Sequence, residues 1–292
     1  MVNKLGVGPG NGSVAPSRLV ALAELAAPLE YAVALSTRPF LGQFPKGKRT
    51  VLVVPGFMAN DASTFILRQE LKRLGHHVKG WGQGVNIGPN QRIIDGLLDR
   101  LDSMAASTGR KVDVVGWSLG GVFARYLATK RTDLVSSVIT LGSPIRPIGK
   151  RDGVAGRIFA SLTSRHDADM GDFDPATRLK VPLTCVWTRT DGVVDWKAAA
   201  TRPGPRVENI EVPGTHLGLG VNPMALHIIA DRLALPDGDW FPYRPHPVAM
   251  LPPMRWFADA DSAADGIWDD LDEDDPDGYI SPLLEFPRSA TG

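Results

Sequence analysis

Between residues 50 and 235, short β-branched runs alternate with longer stretches whose apolar residues recur every three or four positions. Thr50 to Val54 reads TVLVV, with no polar alternation, so a strand there must be covered on both faces. Asp61 to Leu74 reads as a helix, capped by Asp61 and stopped by Gly75. His77 to Trp81 is a weak strand. Ile93 to Ala106 carries apolar residues at 93, 94, 97, 98, 101 and 104, a helical stripe. Lys111 to Val115 and Leu134 to Leu141 read as strands on either side of a helix over Leu119 to Thr129. Strands over Pro182 to Trp187 and Val207 to Val212, then a helix over Pro223 to Leu233, close the series. Such alternation predicts an α/β architecture, a mostly parallel sheet with helices on both faces.

Three stretches stand outside the alternation. Residues 1–49 form an N-terminal tail and helix: Leu19, Val20, Leu22, Leu25 and Leu29 recur at helical spacing, predicting an amphipathic helix that lies on the body. Arg18, Glu24 and Glu30 interrupt the apolar run a signal peptide would need, and Pro28 kinks or divides it. The expected compartment is therefore cytoplasmic, with a peripheral membrane or dimer contact through this helix as the alternative. Residues 144–181 read as a small cap-like insertion over the sheet, with one helix near Arg157 to Leu162. Residues 236–292 are a Pro-rich and acidic tail. Of the chain's 32 acids, eleven lie from Trp256 onward with a single base, Arg288, leaving 21 acids against 31 bases upstream. A solvated tail is the default for such a run, and a nucleic-acid partner is not expected. As the single cysteine, Cys185 excludes an internal disulfide and a cysteine-based zinc site, and its place in an apolar run reads as a buried small side chain.

The chemistry concentrates in Gly116-Trp117-Ser118-Leu119-Gly120, directly after one strand and before a helix. A serine in that turn is held on a strained elbow, and glycines two before and two after remove side chains that would collide. The helix behind it aims N–H groups and a positive dipole end at any anion formed there. A serine hydroxyl needs a base, itself oriented by a carboxylate. In an elbow of this type the acid and then the histidine follow the serine, each just past a strand. Pro213-Gly214-Thr215-His216 follows the last strand and supplies the base, His216. Thr190-Asp191-Gly192-Val193-Val194-Asp195-Trp196 follows the strand before it and offers Asp191 as the acid, with Asp195, a natural helix cap, in reserve.

The other histidines are worse placed. His76 and His77 precede the serine, His227 lies in a helical stripe and His246 in the tail. His166, with Asp167 and Asp169, has no spacing matching a known metal site, so no metal ligand set is assigned. Two N–H donors are needed for an oxyanion. One belongs to Leu119, after the nucleophile. The other comes from the Val54-Pro55-Gly56-Phe57-Met58 loop, where Phe57 is the first candidate and Met58 the second. Met58, Trp117 and Trp196 are candidate pocket walls.

Val51 to Phe57, Gly116 to Gly120, Thr140 to Pro144, Thr190 to Trp196 and Thr215 to Pro223 together resemble the α/β-hydrolase superfamily, and within it bacterial lipase/esterase-like members. The resemblance spans residues 50–235 and departs in the front loop, where Pro55-Gly56 stands in place of the His-Gly of many relatives. It also implies a reduced strand number, the superfamily's first two strands being absent or replaced by the N-terminal helix. It implies this fold and a serine, aspartate and histidine acting together, so the expected activity is carboxylic ester hydrolysis through an acyl-enzyme. The substrate would be a small-molecule or lipid ester, with no metal or organic cofactor. An acyltransferase or thioesterase on the same residues, and a non-catalytic binding protein on this fold, are the alternatives.

Overall fold

The computed structural model describes residues 21–22, 24–37, 44–145 and 173–244. The helix expected near 157–162, the His166 cluster and the acidic tail lie outside the described residues.

Among the described residues, six strands form one sheet: β1 (Thr50–Val54), β2 (His77–Gly80), β3 (Val112–Trp117), β4 (Val135–Leu141), β5 (Leu183–Trp187) and β6 (Val207–Glu211). Their order is β2-β1-β3-β4-β5-β6, and every neighbouring pair is parallel. The uniform TVLVV run is explained by its two faces. Leu52 and Val54 face one core with the helix Gln91–Thr108, while Val51 and Val53 face a second core with the helix Pro223–Ala234. A strand covered on both sides has no polar side to show, so its sequence loses the period of two.

The helices among the described residues include α1 (Ala27–Thr37), preceded by a 3-10 turn at Glu24–Ala26, then α2 (Phe65–Arg73), α3 (Gln91–Thr108), α4 (Leu119–Lys130), the short α5 (Trp196–Ala199) and α6 (Pro223–Ala234). α3 is capped by Asn90, whose side chain accepts from the Ile93 N–H, and stopped by Gly109 at φ 64°. α6 opens with Asn222 and Pro223, a side-chain cap followed by a residue that lacks an N–H where none is needed. Cys185 is fully buried in β5.

Two local expectations are corrected. Asp61 does not cap α2, which starts at Phe65 after Thr64. Its carboxylate instead accepts the N–H groups of Trp81 and Gly82 at 3.0 and 3.1 Å, tying down the chain after β2. Pro28 does mark a division of the N-terminal segment: the 3-10 turn ends at Ala26 and α1 starts at Ala27, with Pro28 in the first turn, where its missing N–H costs nothing. The orientation of this segment is also inverted relative to its apolar stripe. Leu22, Leu25 and Leu29 are 59%, 77% and 67% exposed, while Glu24 and Glu30 make the contacts to the body. Among the described residues no helix is long and apolar enough to cross a membrane.

Candidate functional site

The carboxyl ends of β3, β5 and β6 carry the residues singled out in the sequence. β3 runs into Ser118, whose backbone sits at φ 53°, ψ −125°, a conformation side-chain-bearing residues seldom adopt. Its neighbours explain why the chain accepts the strain. A Cβ added to Gly116 would lie 2.3 Å from the Gly120 carbonyl oxygen, and one added to Gly120 would lie 2.2 Å from the Val54 carbonyl oxygen. The two glycines therefore let α4 fold back tightly on β3 and β1. Ser118 is buried, its N–H donates to the Leu141 carbonyl at 2.8 Å, and α4 begins at the next residue.

His216 lies in the loop between β6 and α6. The side chain of Asn222 fixes that loop, donating to the Pro213 carbonyl at 2.7 Å while it caps α6. The His216 carbonyl accepts from the Trp117 indole N–H at 3.1 Å, which ties the histidine loop to the residue before Ser118. Nδ1 of His216 is 2.7 Å from Oδ2 of Asp191, and both side chains are buried. Oδ1 of Asp191 accepts the N–H groups of Val193 and Val194 at 2.9 and 2.7 Å. The carboxylate is thus locked by its own loop with its second oxygen facing the imidazole. Burial by itself would lower the His216 pKa; the charge and hydrogen bond of Asp191, with the Glu24 charge, override it and raise the imidazole above its ordinary value of 6.5.

The turn after β4 joins these parts. Leu141 receives the Ser118 N–H, and Gly142, at φ 53°, donates to the Val186 carbonyl. A Cβ on Gly142 would lie 2.9 Å from Asp191 Oδ2 and 3.0 Å from His216 Nδ1. Two consecutive residues therefore touch the elbow and the Asp191–His216 pair.

The front loop after β1 lies against the elbow as well. A Cβ on Gly56 would come within 3.1 Å of the Ser118 Cβ. The Met58 N–H, second candidate for an oxyanion donor, is already given to the Asn86 carbonyl at 2.7 Å, which leaves Phe57. Asn86 is fully buried and also donates its side-chain amide to the Pro55 carbonyl at 2.9 Å, holding both sides of this loop. Nothing in the sequence around it sets Asn86 apart.

Asp195 accepts from the Lys197 N–H and caps α5. Of the candidate pocket walls, Met58 projects outward, 65% exposed. Trp117 is a core residue, packed against Gly220 beneath the histidine loop. Trp196 stacks on Trp187 at 5.0 Å, with Arg189 over its ring, in a separate cluster. His76 accepts from the Arg49 N–H and His227 contacts the Tyr243 hydroxyl at 3.0 Å, so both serve the fold. Among the described residues no group of three or more His, Cys, Asp or Glu is placed to hold a metal.

Sequence reading missed the N-terminal acids. Oε1 of Glu24 accepts the N–H groups of Gly192 and His216, both at 2.8 Å, and Oε2 accepts that of Leu217 at 2.9 Å. Glu30 Oε2 lies 3.3 Å from the Thr215 hydroxyl, and burial pushes its carboxyl up to about 7. Their only signal was two acids within an otherwise apolar helix.

Comparison with known proteins gives the fold its class: this is the α/β-hydrolase fold. Lipase B of Aspergillus fumigatus superposes with a TM-score of 0.52 at 19% identity, over 66% of this chain and 54% of that one. A monoacylglycerol lipase of Paleococcus ferrophilus gives a TM-score of 0.46 at 17% identity, over 65% of this chain and 96% of that one. In sequence, a triacylglycerol lipase of Vibrio cholerae is 36% identical over 80 residues, 27% of this chain and 26% of the relative's length. No protein-family profile matches the chain. The chain thus spans about a quarter of this curated relative and about half of the Aspergillus lipase.

Proposed function

We propose that the protein is a carboxylic ester hydrolase in which Ser118 is the nucleophile, His216 the general base and acid, and Asp191 its orienting carboxylate. The observation that carries this reading is the buried Asp191–His216 pair, held at 2.7 Å beside Gly142, whose preceding residue binds the Ser118 N–H.

With Nδ1–H donated to Asp191, the other imidazole nitrogen, Nε2, is left with its lone pair to take a proton. Ser118 Oγ attacks the acyl carbonyl carbon as its proton passes to Nε2. The oxyanion that forms is received by the N–H groups of Leu119 and Phe57, with the α4 dipole behind them. Collapse breaks the bond to the alcohol oxygen, which leaves with the proton from His216. Water then adds to the acyl-serine, gives a proton to His216, and the acid departs as Ser118 recovers its own. The Aspergillus lipase shares the fold, and the part-buried Phe57 with the exposed Met58 gives the front loop an apolar character suited to an aliphatic or aryl acyl group.

The test is hydrolysis of nitrophenyl esters of increasing acyl length, with a thioester alongside, and labelling by a fluorophosphonate. Wild type is expected to hydrolyse the esters and label at Ser118, and Ser118→Ala to lose both, by roughly 10³-fold or more in rate. Equal rates or equal labelling in the two proteins would sink the assignment. The acid limb of kcat/KM is expected above pH 6.5, because the neutral imidazole is the base and its pKa is raised.

A further inference from the structure

We propose that Glu24 is a positioning residue of this hydrolytic site, its carboxylate tying the acid loop to the histidine loop and setting a second negative charge beside His216. The inference rests on the function proposed above. Glu24 reaches across 168 and 192 positions of sequence to Gly192 and His216. Its three N–H donors flank the Asp191–His216 contact on both sides: Gly192 follows the acid, and His216 and Leu217 belong to the base. A carboxylate held by several N–H groups makes charge-assisted bonds, stronger than neutral ones.

Leucine burial does not account for the placement. Leu22, Leu25 and Leu29 point outward, and the Glu24 and Glu30 carboxylates bond to the body. The body is shaped to receive them, since a Cβ on Gly218 would lie only 1.2 Å from Glu30 Oε2. Among the described residues, the charged groups set toward His216 are Asp191 from the loop after β5, Glu24 from the N-terminal turn and, through Thr215, Glu30 of α1. Burial lowers the imidazole pKa, and the Glu24 charge is one of the causes that raise it, after the charge and hydrogen bond of Asp191.

Two substitutions in the full-length protein separate the scaffold from the charge. Glu24→Gln keeps Oε1, which holds Gly192 and His216, but loses the charge and the acceptor for Leu217. Glu24→Ala loses all three bonds. Glu24→Ala is expected to lower kcat at least about fivefold while KM moves less than about threefold, as misplaced catalytic groups do. Glu24→Gln is expected to move the His216 titration midpoint, read by NMR of its ring, to lower pH. A smaller loss in Glu24→Ala, a loss carried by KM, or an unmoved midpoint in Glu24→Gln overturns the proposal. Melting curves identify an Ala variant that fails to fold, in which case the Gln titration decides. A wild type that neither hydrolyses esters nor labels refutes the hydrolase reading itself, and the titration then decides on Glu24 separately.

Discussion

Asp191 and Asp113 are buried carboxylates at opposite rims of one sheet, 3% and 2% exposed, and their surroundings differ in kind. Asp191, past the carboxyl end of β5, has two backbone N–H groups on one oxygen and an imidazole on the other. Asp113, near the amino end of β3, bonds Ser137 through Oδ1 at 2.6 Å. Its Oδ2 has no hydrogen-bond partner among the described residues, and the Arg49 Nε lies 3.9 Å away. Burial pushes the Asp113 carboxyl up to about 6. It lines a cavity of about 610 Å³ edged by Arg49, Lys111, Lys180 and Arg206. Depth alone does not orient a buried acid. Donors that hold one oxygen and aim the other do, and parallel strands deliver loops carrying them to the carboxyl rim.

Substitutions at the two rims break the comparison in order of size. Asp191→Asn is expected to cut kcat by roughly 10⁴-fold with the fold intact, because an amide cannot hold the imidazole in the working tautomer. Steady-state kinetics with circular dichroism checks it, and a loss below tenfold would remove Asp191 from the mechanism.

Asp113→Asn is expected to leave kcat unchanged and raise stability at pH 7 by up to about 3 kcal/mol, because burial holds the carboxyl up at about 6 and it must ionise inside the fold. The sign follows from the raised value. The folded protein binds this proton more tightly than the unfolded chain, so the group's favourable contribution is full below about pH 4 and is lost as pH rises through about 6. Urea melts from pH 4 to 7 should show the difference between variant and wild type growing with pH; a constant difference would refute the titration account.

Gly142→Ala is expected to cost about 10²-fold in kcat/KM, since its methyl would press on Asp191, His216 and Leu219 at a positive φ. Unchanged kinetics would mean the turn yields freely. Asp195→Ala, which removes the α5 cap, is expected to cost about 1 kcal/mol of stability and no activity. A large kinetic loss there would exchange the roles of the two aspartates.

Strand and helix positions were legible wherever burial on two faces or on one stripe imposed a pattern, as in β1 and α3. Asp61 and the N-terminal segment were misread for one shared reason. An acid near a helix start or within a leucine repeat has a local use that sequence suggests, yet each of these carboxylates was taken by N–H groups far along the chain. The Asp191–His216 contact was readable as two loops past consecutive strands, because strand order fixes which rim they share. Asn86 and Gly142 carried no pattern, since their work is to fit between parts that sequence separates.

The sequence by itself determined the parallel α/β sheet, the glycine-flanked serine between strand and helix, and the loops that bear Asp191 and His216. Those features follow from local periodicity and from steric demands within a few residues. Tertiary structure alone decided that Asp191 rather than Asp195 meets the imidazole, that Met58 gives its N–H to Asn86, and that Glu24 turns inward while its neighbouring leucines face out. Each of these is a competition for hydrogen-bond partners among groups distant in sequence, and only their arrangement in space determines which partner is within reach.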